Sequence, residues 1–284
     1  MEQKEKNKRQ LKITKRKKLI KILTIFAIVI LFIILVFSGY KIVNWYLDNQ
    51  KIDKQTKSIS ENTNINEVVD NEKTETVNPP EDKFDPYWDY IKIPLISVDF
   101  NSLKETNSDT VGWIFVDGTN INYPVVQASN NEYYLTHAFD ESWNDAGWIF
   151  MDYRNNAKDF DKNTIIYGHS RYDKSMFGSL RNITKNNWFQ DTDNHIIKLS
   201  TPTENTLWQV FSLYTIEQAS YYITTDFSSD DEYSEWLNTM LKRSKFNFKT
   251  SISKEDKVLT LSSCYTSDGI RVVLHAKLIK KEAR

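Results

Sequence analysis

The stretch VLTLSSC (residues 258–264), followed closely by IRVVLHAKL (residues 270–278), has the period-two alternation of two β-strands. In the first strand the leucines fall on one face, and Cys264 lies on the other, less apolar face at the strand end. In the second strand the apolar residues again share one face, and Arg271 lies opposite them. A connection this short allows the strands to pair as a hairpin, which predicts that Cys264 and Arg271 lie at the same end of it.

Further strands are predicted on the N-terminal side of this hairpin, from Phe84 onward. Short runs of aromatic and β-branched residues alternate there with turn residues such as Asp117-Gly118. With the hairpin itself, the predicted strands cover residues 112–116, 121–127, 147–152, 164–167, 195–199, 207–216, 257–262 and 270–279. This pattern predicts a mainly β domain, either a barrel or a sandwich.

One long helix is predicted before the strand that ends at Cys264. Its apolar residues fall on one face of a helical repeat: Tyr233, Trp236, Leu237, Met240 and Leu241. Ser229 and Glu232 form a capping-box pattern, and basic residues close the C-terminal end, so we expect a helix over residues 229–245. The apolar stripe indicates packing against the core rather than a binding surface.

The N-terminal segment ILTIFAIVILFIILVFSGY (residues 22–40) is predicted to be a transmembrane anchor. It has no charged residue, and as a helix it spans about 29 Å, close to the thickness of a bilayer core. No clear small-x-small cleavage site follows it, which favours a retained anchor over a removed signal peptide. Residues 1–21 carry ten lysines and arginines against Glu2 and Glu5. The positive-inside rule therefore predicts a basic cytoplasmic tail and an extracytoplasmic domain.

Residues 41–85 are predicted to form a polar juxtamembrane stalk. After Asp48 the chain is rich in Asn, Lys, Glu, Thr and Ser and has few large apolar residues. The simplest interpretation is a solvated linker, helical in part before Glu61. The folded domain is then expected to occupy residues 86–284.

Composition excludes several classes of function. The net charge is −1, and because the basic residues cluster in the N-terminal tail, the rest of the chain is acidic and offers no basic surface for nucleic acid. With 7 glycines and no glycine-rich loop, a nucleotide site is not expected. No two histidines or cysteines stand at metal-ligand spacing, so no metal and no other cofactor is expected. With 1 cysteine, the chain has no intrachain disulfide.

From the pattern alone, Cys264 is either a small buried residue or a nucleophile. A thiol reacts as the thiolate, and a neighbouring imidazole or cation favours that form. His169 is the first candidate partner, because it too lies at the end of a buried-looking strand. His137 is its main competitor, while His195 lies beside a polar turn and His275 in the middle of a strand.

Three motifs in this order resemble those of the sortases: Tyr167-Gly-His-Ser170, then Thr260-Leu-Ser-Ser-Cys264, then Arg271 in a strand. Sortases have an earlier His, a Thr-Leu-x-Thr-Cys motif and a later Arg. Class B looks most similar, because of Asn131-Glu-Tyr-Tyr-Leu135, Ala146-Gly-Trp-Ile-Phe-Met-Asp152 and the helix before the cysteine strand. The resemblance extends over about residues 86–280 and the anchor. This chain departs from the usual motif in having Ser263 where sortases have Thr, and its connection from cysteine to arginine is short.

The resemblance implies a closed eight-stranded sortase-type β-barrel and a cysteine transpeptidase. Cys264 would attack the carbonyl that follows the Thr of a C-terminal sorting signal, of the Asn-Pro-x-Thr type or a related Pro-x-Thr type, and form a thioacyl enzyme. His169 would act as general acid and base, and Arg271 would stabilise the oxyanion. Class B resemblance also implies that the substrate groove is lined by Asn131, Leu135, Tyr167 and Ser262.

The implied partners are secreted proteins that carry such a signal and an amine of the peptidoglycan or its lipid-linked precursor. A single-pass enzyme of the cell membrane, with its domain facing the cell wall, would meet both at the same surface. Haem or iron uptake proteins, adhesins and pilus components are all compatible clients.

Two other functions stay open. The chain could be a different extracytoplasmic cysteine peptidase or transpeptidase, or a non-enzymatic, membrane-anchored module that binds a wall component. The substitution Cys264→Ala separates them, because a binding module would keep its target while an enzyme would lose cleavage and transfer.

Overall fold

The computed structural model describes residues 1–217, 219–264 and 269–284, and for Glu2 and Cys264 it describes the backbone alone. These residues form two compact units, Met1–Lys51 and Ile52–Arg284. The first unit is made by helix α1 (Glu2–Asn62), which continues into the second. In the described part of the chain, α1 is the one helix long and apolar enough to cross a membrane. Its side chains over residues 22–40 are exposed rather than packed against protein.

The second unit is mainly β, with short helices between the strands. Its strands are β1 (Ile65–Val68), β2 (Thr74–Thr76), β3 (Leu95–Val98), β4 (Thr110–Val116), β5 (Asn122–Val126), β6 (Phe150–Met151), β7 (Asn163–His169), β8 (Ile196–Ser200), β9 (Glu204–Glu217), β10 (Val258–Cys264) and β11 (Ile270–Ala283). Its helices are α2 (Tyr87–Tyr90), α3 (Asn101–Thr106), α4 (Leu180–Ile183), α5 (Asn186–Gln190) and α6 (Asp230–Arg243). Segments of 3₁₀ helix cover Tyr133–Leu135, Thr192–His195 and Tyr221–Ile223.

Eight of these strands close into a barrel. Their order is β10-β7-β6-β5-β4-β8-β9-β11, and β11 pairs back with β10. Neighbouring strands are antiparallel except in the pairs β7–β10 and β5–β6, which are parallel. The predicted mainly β fold is confirmed as a closed eight-stranded barrel, and a sandwich is excluded because the pairing runs around a full circle.

The eight predicted strand segments each overlap one strand of the barrel, with ends that differ by a few residues. Strand β6 is shorter than predicted, with two residues in place of the predicted 147–152. Gly147 has a positive φ of 59°, and the Trp148 N–H donates to the carbonyl of Tyr134 at 2.9 Å. The chain therefore pairs with the 3₁₀ segment Tyr133–Leu135 before it enters the barrel, which alternation alone does not reveal.

Helix α6 confirms the helix predicted over residues 229–245. The hydroxyl of Ser229 accepts a hydrogen bond from the Glu232 N–H at 3.1 Å, as the capping box predicts. The Glu232 carboxylate, however, accepts from the Ser228 N–H at 2.7 Å. The buried residues of the stripe are Tyr233, Trp236, Leu237 and Met240. Leu241 is 39% exposed and lies outside this packing.

The region predicted as a solvated stalk, residues 41–85, differs from that prediction. It is helical up to Asn62, and from Ile52 onward it belongs to the same compact unit as the barrel. Strand β1 pairs with β3, and β2 pairs with β11. The fully buried ammonium of Lys280 on β11 donates to Asp70 at 2.8 Å. Polar residues of this segment thus form hydrogen bonds with polar residues of β11. Composition alone does not distinguish such residues from ones that are solvated by water.

Candidate active site

The two central positions of the site lie at the ends of two parallel strands. Strands β7 and β10 pair so that Cys264 is the register partner of His169, and paired strands lie about 4.8 Å apart. On the other side of β10, Ser262 is the partner of Val273 of β11. Arg271 lies on β11 two residues from Val273, at the same end of the strand pair as Cys264. The thiol group of Cys264 and residues 265–268 of the short connection to Arg271 lie outside the described atoms.

The ring of His169 is held by a backbone carbonyl. Its Nε2 lies 2.7 Å from the carbonyl oxygen of Leu135, and because a carbonyl only accepts, Nε2 carries the proton. Burial lowers the pKa of His169, against the opposing hydrogen bond to Leu135. The imidazole is therefore neutral at neutral pH, with Nδ1 as its acceptor atom.

Gly147 leaves the space in which this contact forms. A Cβ atom at this position would lie 2.5 Å from the carbonyl oxygen of Tyr134 and 2.9 Å from both Cδ2 of His169 and the carbonyl oxygen of Leu135. The positive φ of Gly147 also disfavours any other residue there. Gly147 belongs to the motif Ala146-Gly-Trp-Ile-Phe-Met-Asp152, but the sequence does not show its role, because its neighbours come from other segments.

Arg271 is held by a tyrosine hydroxyl. Its Nη1 donates to the hydroxyl of Tyr222 at 3.0 Å, and that hydroxyl lies 3.0 Å from the hydroxyl of Ser262. Ser262 is in turn the register partner of Tyr167 on β7. A chain of contacts thus runs from the arginine across β10 to the histidine strand. Tyr222 was missed from the sequence because no local pattern marks it.

The other three histidines have partners of their own. His137 stacks on Tyr133, with ring centroids 4.0 Å apart, and its Nδ1 bonds to the carbonyl of that residue at 2.7 Å. His195 is buried among aromatic rings, including Phe248. His275 is fully buried within the paired strands. Of the four, His169 is the one whose backbone is paired with Cys264.

The residues expected to line the groove differ in their exposure. Asn131 and Leu135 are partly exposed, and Tyr167 is nearly buried. Ser262 has no exposed surface, and its hydroxyl is engaged by Tyr222. As the structure stands, Ser262 therefore supports its neighbours and does not itself offer surface to a substrate.

The barrel thus carries a cysteine and a histidine on adjacent parallel strand ends and an arginine on the next strand, which are the groups that a thiol-dependent acyltransferase needs. A family model described as the sortase domain matches residues 114–279. The chain is 34% identical over 262 residues to sortase B of Staphylococcus aureus, an alignment that covers 91% of this chain and 97% of that protein. The chain belongs to the sortase family, and its similarity places it in class B, as a cysteine transpeptidase.

Solved structures of sortase B proteins have the same fold as this chain. The crystal structure of Bacillus anthracis sortase B in complex with AAEK1 aligns with a TM-score of 0.65 and 35% identity, over 83% of this chain and 98% of that one. A Staphylococcus aureus sortase B–substrate complex aligns with a TM-score of 0.60 and 37% identity, over 64% of this chain and 84% of that one. The similarity thus extends over most of the barrel domain of the relatives.

Proposed function

We propose that this sortase cleaves a C-terminal sorting signal of secreted proteins, of the Asn-Pro-x-Thr type or a related Pro-x-Thr type, and joins the new C-terminus to an amine of the peptidoglycan or its precursor. The observation that carries the proposal is the register of β7 and β10, which places Cys264 beside His169. A related sortase B has been solved as a substrate complex, which supports a peptide substrate for the same barrel.

The first half of the reaction forms a thioester. Cys264 attacks the carbonyl carbon of the Thr of the signal, and neutral His169 takes the thiol proton. The imidazolium then returns this proton to the departing amine as the peptide bond breaks. The lowered pKa of His169 supports this sequence, because the ring begins neutral and holds the proton only while the bond is being broken.

The second half transfers the acyl group. An amine of the wall precursor attacks the thioester, His169 removes a proton from it, and the thiol of Cys264 is restored as the leaving group. In both halves negative charge develops on the carbonyl oxygen. Arg271, which stays protonated, supplies donors to that oxygen, and its bond to Tyr222 keeps the guanidinium in place.

The groove is proposed to run past Asn131, Leu135 and Tyr167, with Ser262 beneath it. Leu135 contributes twice, since its carbonyl orients His169 while its side chain stays partly exposed. We further propose that residues 22–40 of α1 anchor the chain in the cell membrane, with residues 1–21 in the cytoplasm and the barrel facing the cell wall. Protease added to wall-stripped cells is then expected to remove the barrel and to spare the basic tail.

Mass spectrometry tests the reaction directly. The full chain in detergent is mixed with a sorting-signal peptide, and a mass increase equal to the acyl fragment is expected on a peptide that contains Cys264. Cys264→Ala should give neither adduct nor cleavage while circular dichroism shows an unchanged fold. Cleavage that persists in Cys264→Ala would mean that another residue is the nucleophile.

A further inference from the structure

Asp152 is a buried carboxylate that the proposed reaction does not use. It follows β6 directly, and its side chain has no exposed surface. Burying a carboxylate costs free energy unless its oxygens accept hydrogen bonds. The donors around Asp152 therefore indicate its structural role.

Asp152 receives hydrogen bonds from three side chains. The Nδ2 of Asn131 donates at 3.0 Å and the hydroxyl of Tyr167 at 2.9 Å, both to Oδ2. Arg154 binds both oxygens, with Nε 2.8 Å from Oδ1 and Nη2 2.6 Å from Oδ2. Burial acts to raise the pKa of Asp152, but the hydrogen bonds from Arg154 and Tyr167 outweigh it and hold the pKa below its usual value. The carboxylate is therefore ionised and saturated by donors.

The same cluster extends to the arginine side of the site through Arg154. Its Nη2 also donates to the carbonyl oxygen of Ile223 at 3.1 Å. Ile223 ends the 3₁₀ segment Tyr221–Ile223, which carries the tyrosine whose hydroxyl holds Arg271. Asp152 thus connects three parts of the chain: the loop of Asn131, the strand of Tyr167 and this 3₁₀ segment.

We propose that Asp152 is a positioning residue that fixes the width of the sorting-signal groove by holding Asn131, Tyr167 and the 3₁₀ segment of Tyr222 at set distances from one another. The inference rests on the proposed function, since it assumes that the peptide lies between these parts. They come from distant stretches of sequence, and the side chains of Asp152 and Arg154 join them. A loosened groove should bind the peptide less well while the thiol keeps its reactivity.

Asp152→Asn is the principal test. The amide has nearly the shape of the carboxylate, but its NH₂ group must face at least one donor that Asp152 now accepts from, so contacts are lost without a change of volume. In the full chain in detergent, we expect KM for a sorting-signal peptide to rise tenfold or more. Alkylation of Cys264 by iodoacetamide should change less than twofold.

Asp85→Asn is the matched control. Asp85 is 4% exposed and accepts from Ser251 N–H at 2.9 Å and from Gln209 at 3.3 Å. Gln209 is paired with Lys277 of β11, which lies about 20 Å along that strand from Arg271. This variant should lower the unfolding temperature and leave KM within twofold of wild type.

Tyr167→Phe gives a second, milder test, which also serves if Asp152→Asn does not fold. Loss of the hydroxyl alone should raise KM severalfold, and in the Asp152→Asn background it should add nothing further. Unchanged KM in Asp152→Asn, or in Tyr167→Phe where the first variant does not fold, overturns the positioning role. So do additive effects of the two changes, because they would mean that the hydroxyl meets the peptide directly. Failure of the wild-type chain to form an acyl adduct would instead contradict the proposed function, and this inference with it.

Discussion

His169 and Arg271 lie on the two strands that neighbour the Cys264 strand, but their side chains differ in chemistry. The imidazole is neutral, with a single acceptor nitrogen left by its bond to Leu135. The guanidinium cannot act as a base, because an arginine side chain stays protonated in proteins. Arg271 therefore supplies hydrogen-bond donors and His169 supplies a proton acceptor. We expect replacement of each residue to impair a different part of the reaction.

Replacing the two residues should give different responses to one change of substrate. Arg271→Lys keeps the charge but loses the planar donors, so we expect peptide cleavage to slow on the order of 100-fold, with the thiol still alkylated by iodoacetamide. His169→Ala removes proton transfer. An activated thioester needs no protonation of its leaving group, so it should acylate His169→Ala better than a peptide does. Equal rescue of both variants, or rescue of Arg271→Lys alone, would contradict this division of roles.

Gly147→Ala should reduce acylation by displacing the ring of His169. The new Cβ would meet the carbonyl oxygens of Tyr134 and Leu135 and the imidazole itself, and the backbone strain costs about 1–2 kcal/mol. We expect acylation at least tenfold slower, measured with a sorting-signal peptide. Gly118→Ala is the control, because Gly118 has a similar φ of 66° but its Cβ would meet the side chain of Asn194. Similar losses of acylation in both variants would mean that strain alone is responsible.

The hairpin β10–β11 contains a buried chain of polar contacts as well as the two residues proposed for catalysis, Cys264 and Arg271. Thr260 and His275 are register partners. The Thr260 hydroxyl donates to Oδ1 of Asn163 at 2.6 Å, so it accepts from Nδ1 of His275 at 2.8 Å. Nε2 then accepts from the hydroxyl of Tyr214 at 2.9 Å. This arrangement requires a neutral ring, and burial lowers the pKa of His275 to about 3.

This chain of contacts predicts how stability depends on pH. In the unfolded chain a histidine takes up a proton near pH 6.5, whereas His275 in the folded state does so only near its pKa of about 3. Between these values the unfolded state binds one more proton, so stability is lost as the pH falls. Relative to His275→Gln, wild type should lose about 1.4 kcal/mol of unfolding free energy per pH unit within this window. Denaturant titrations at pH 6 and 4.5 measure the difference, and equal losses in both proteins would show that the ring is not kept neutral.

At the scale of the whole molecule, the barrel and the segment before it form one unit from Ile52 onward. Lys280 has no exposed surface, and its ammonium bonds to Asp70 and to the carbonyl oxygen of Ile93. Glu282 on the same strand accepts from Asn71 at 2.6 Å. The segment therefore supplies the partners of charges that β11 buries.

Shortening the chain should reveal this dependence. A protein that begins at residue 86 lacks β1, β2 and Asp70, and we expect it to be less stable than one that begins at residue 52 by at least about 2 kcal/mol, because a buried charge loses its partner. Asp70→Asn in the longer protein should reproduce part of the loss. Glu72→Gln, in an exposed position of the same segment, should change stability by less than about 0.5 kcal/mol. Equal unfolding free energies for the two lengths would support the solvated linker.

Local periodicity was sufficient for the parts of this protein whose signal lies within one segment. The alternation in β10 and β11 and the stripe of α6 predicted those elements, because side chains repeat every two residues in a strand and every 3.6 in a helix. The order of the three motifs also identified the family, and with it the closed barrel. The hairpin further predicted that Cys264 and Arg271 would be close together, because a short connection leaves few alternatives.

Only the tertiary structure decided which strands lie side by side and which polar groups are partners. The parallel pairing of β7 with β10, which sets His169 beside Cys264, joins segments with no local signal for each other. The contacts of Asp152 and Tyr222 are likewise long-range, and so is the pairing of the predicted stalk with β11. The sequence does not show whether a charged or polar residue forms hydrogen bonds with water or with a distant side chain. Its partner is determined only when the chain folds.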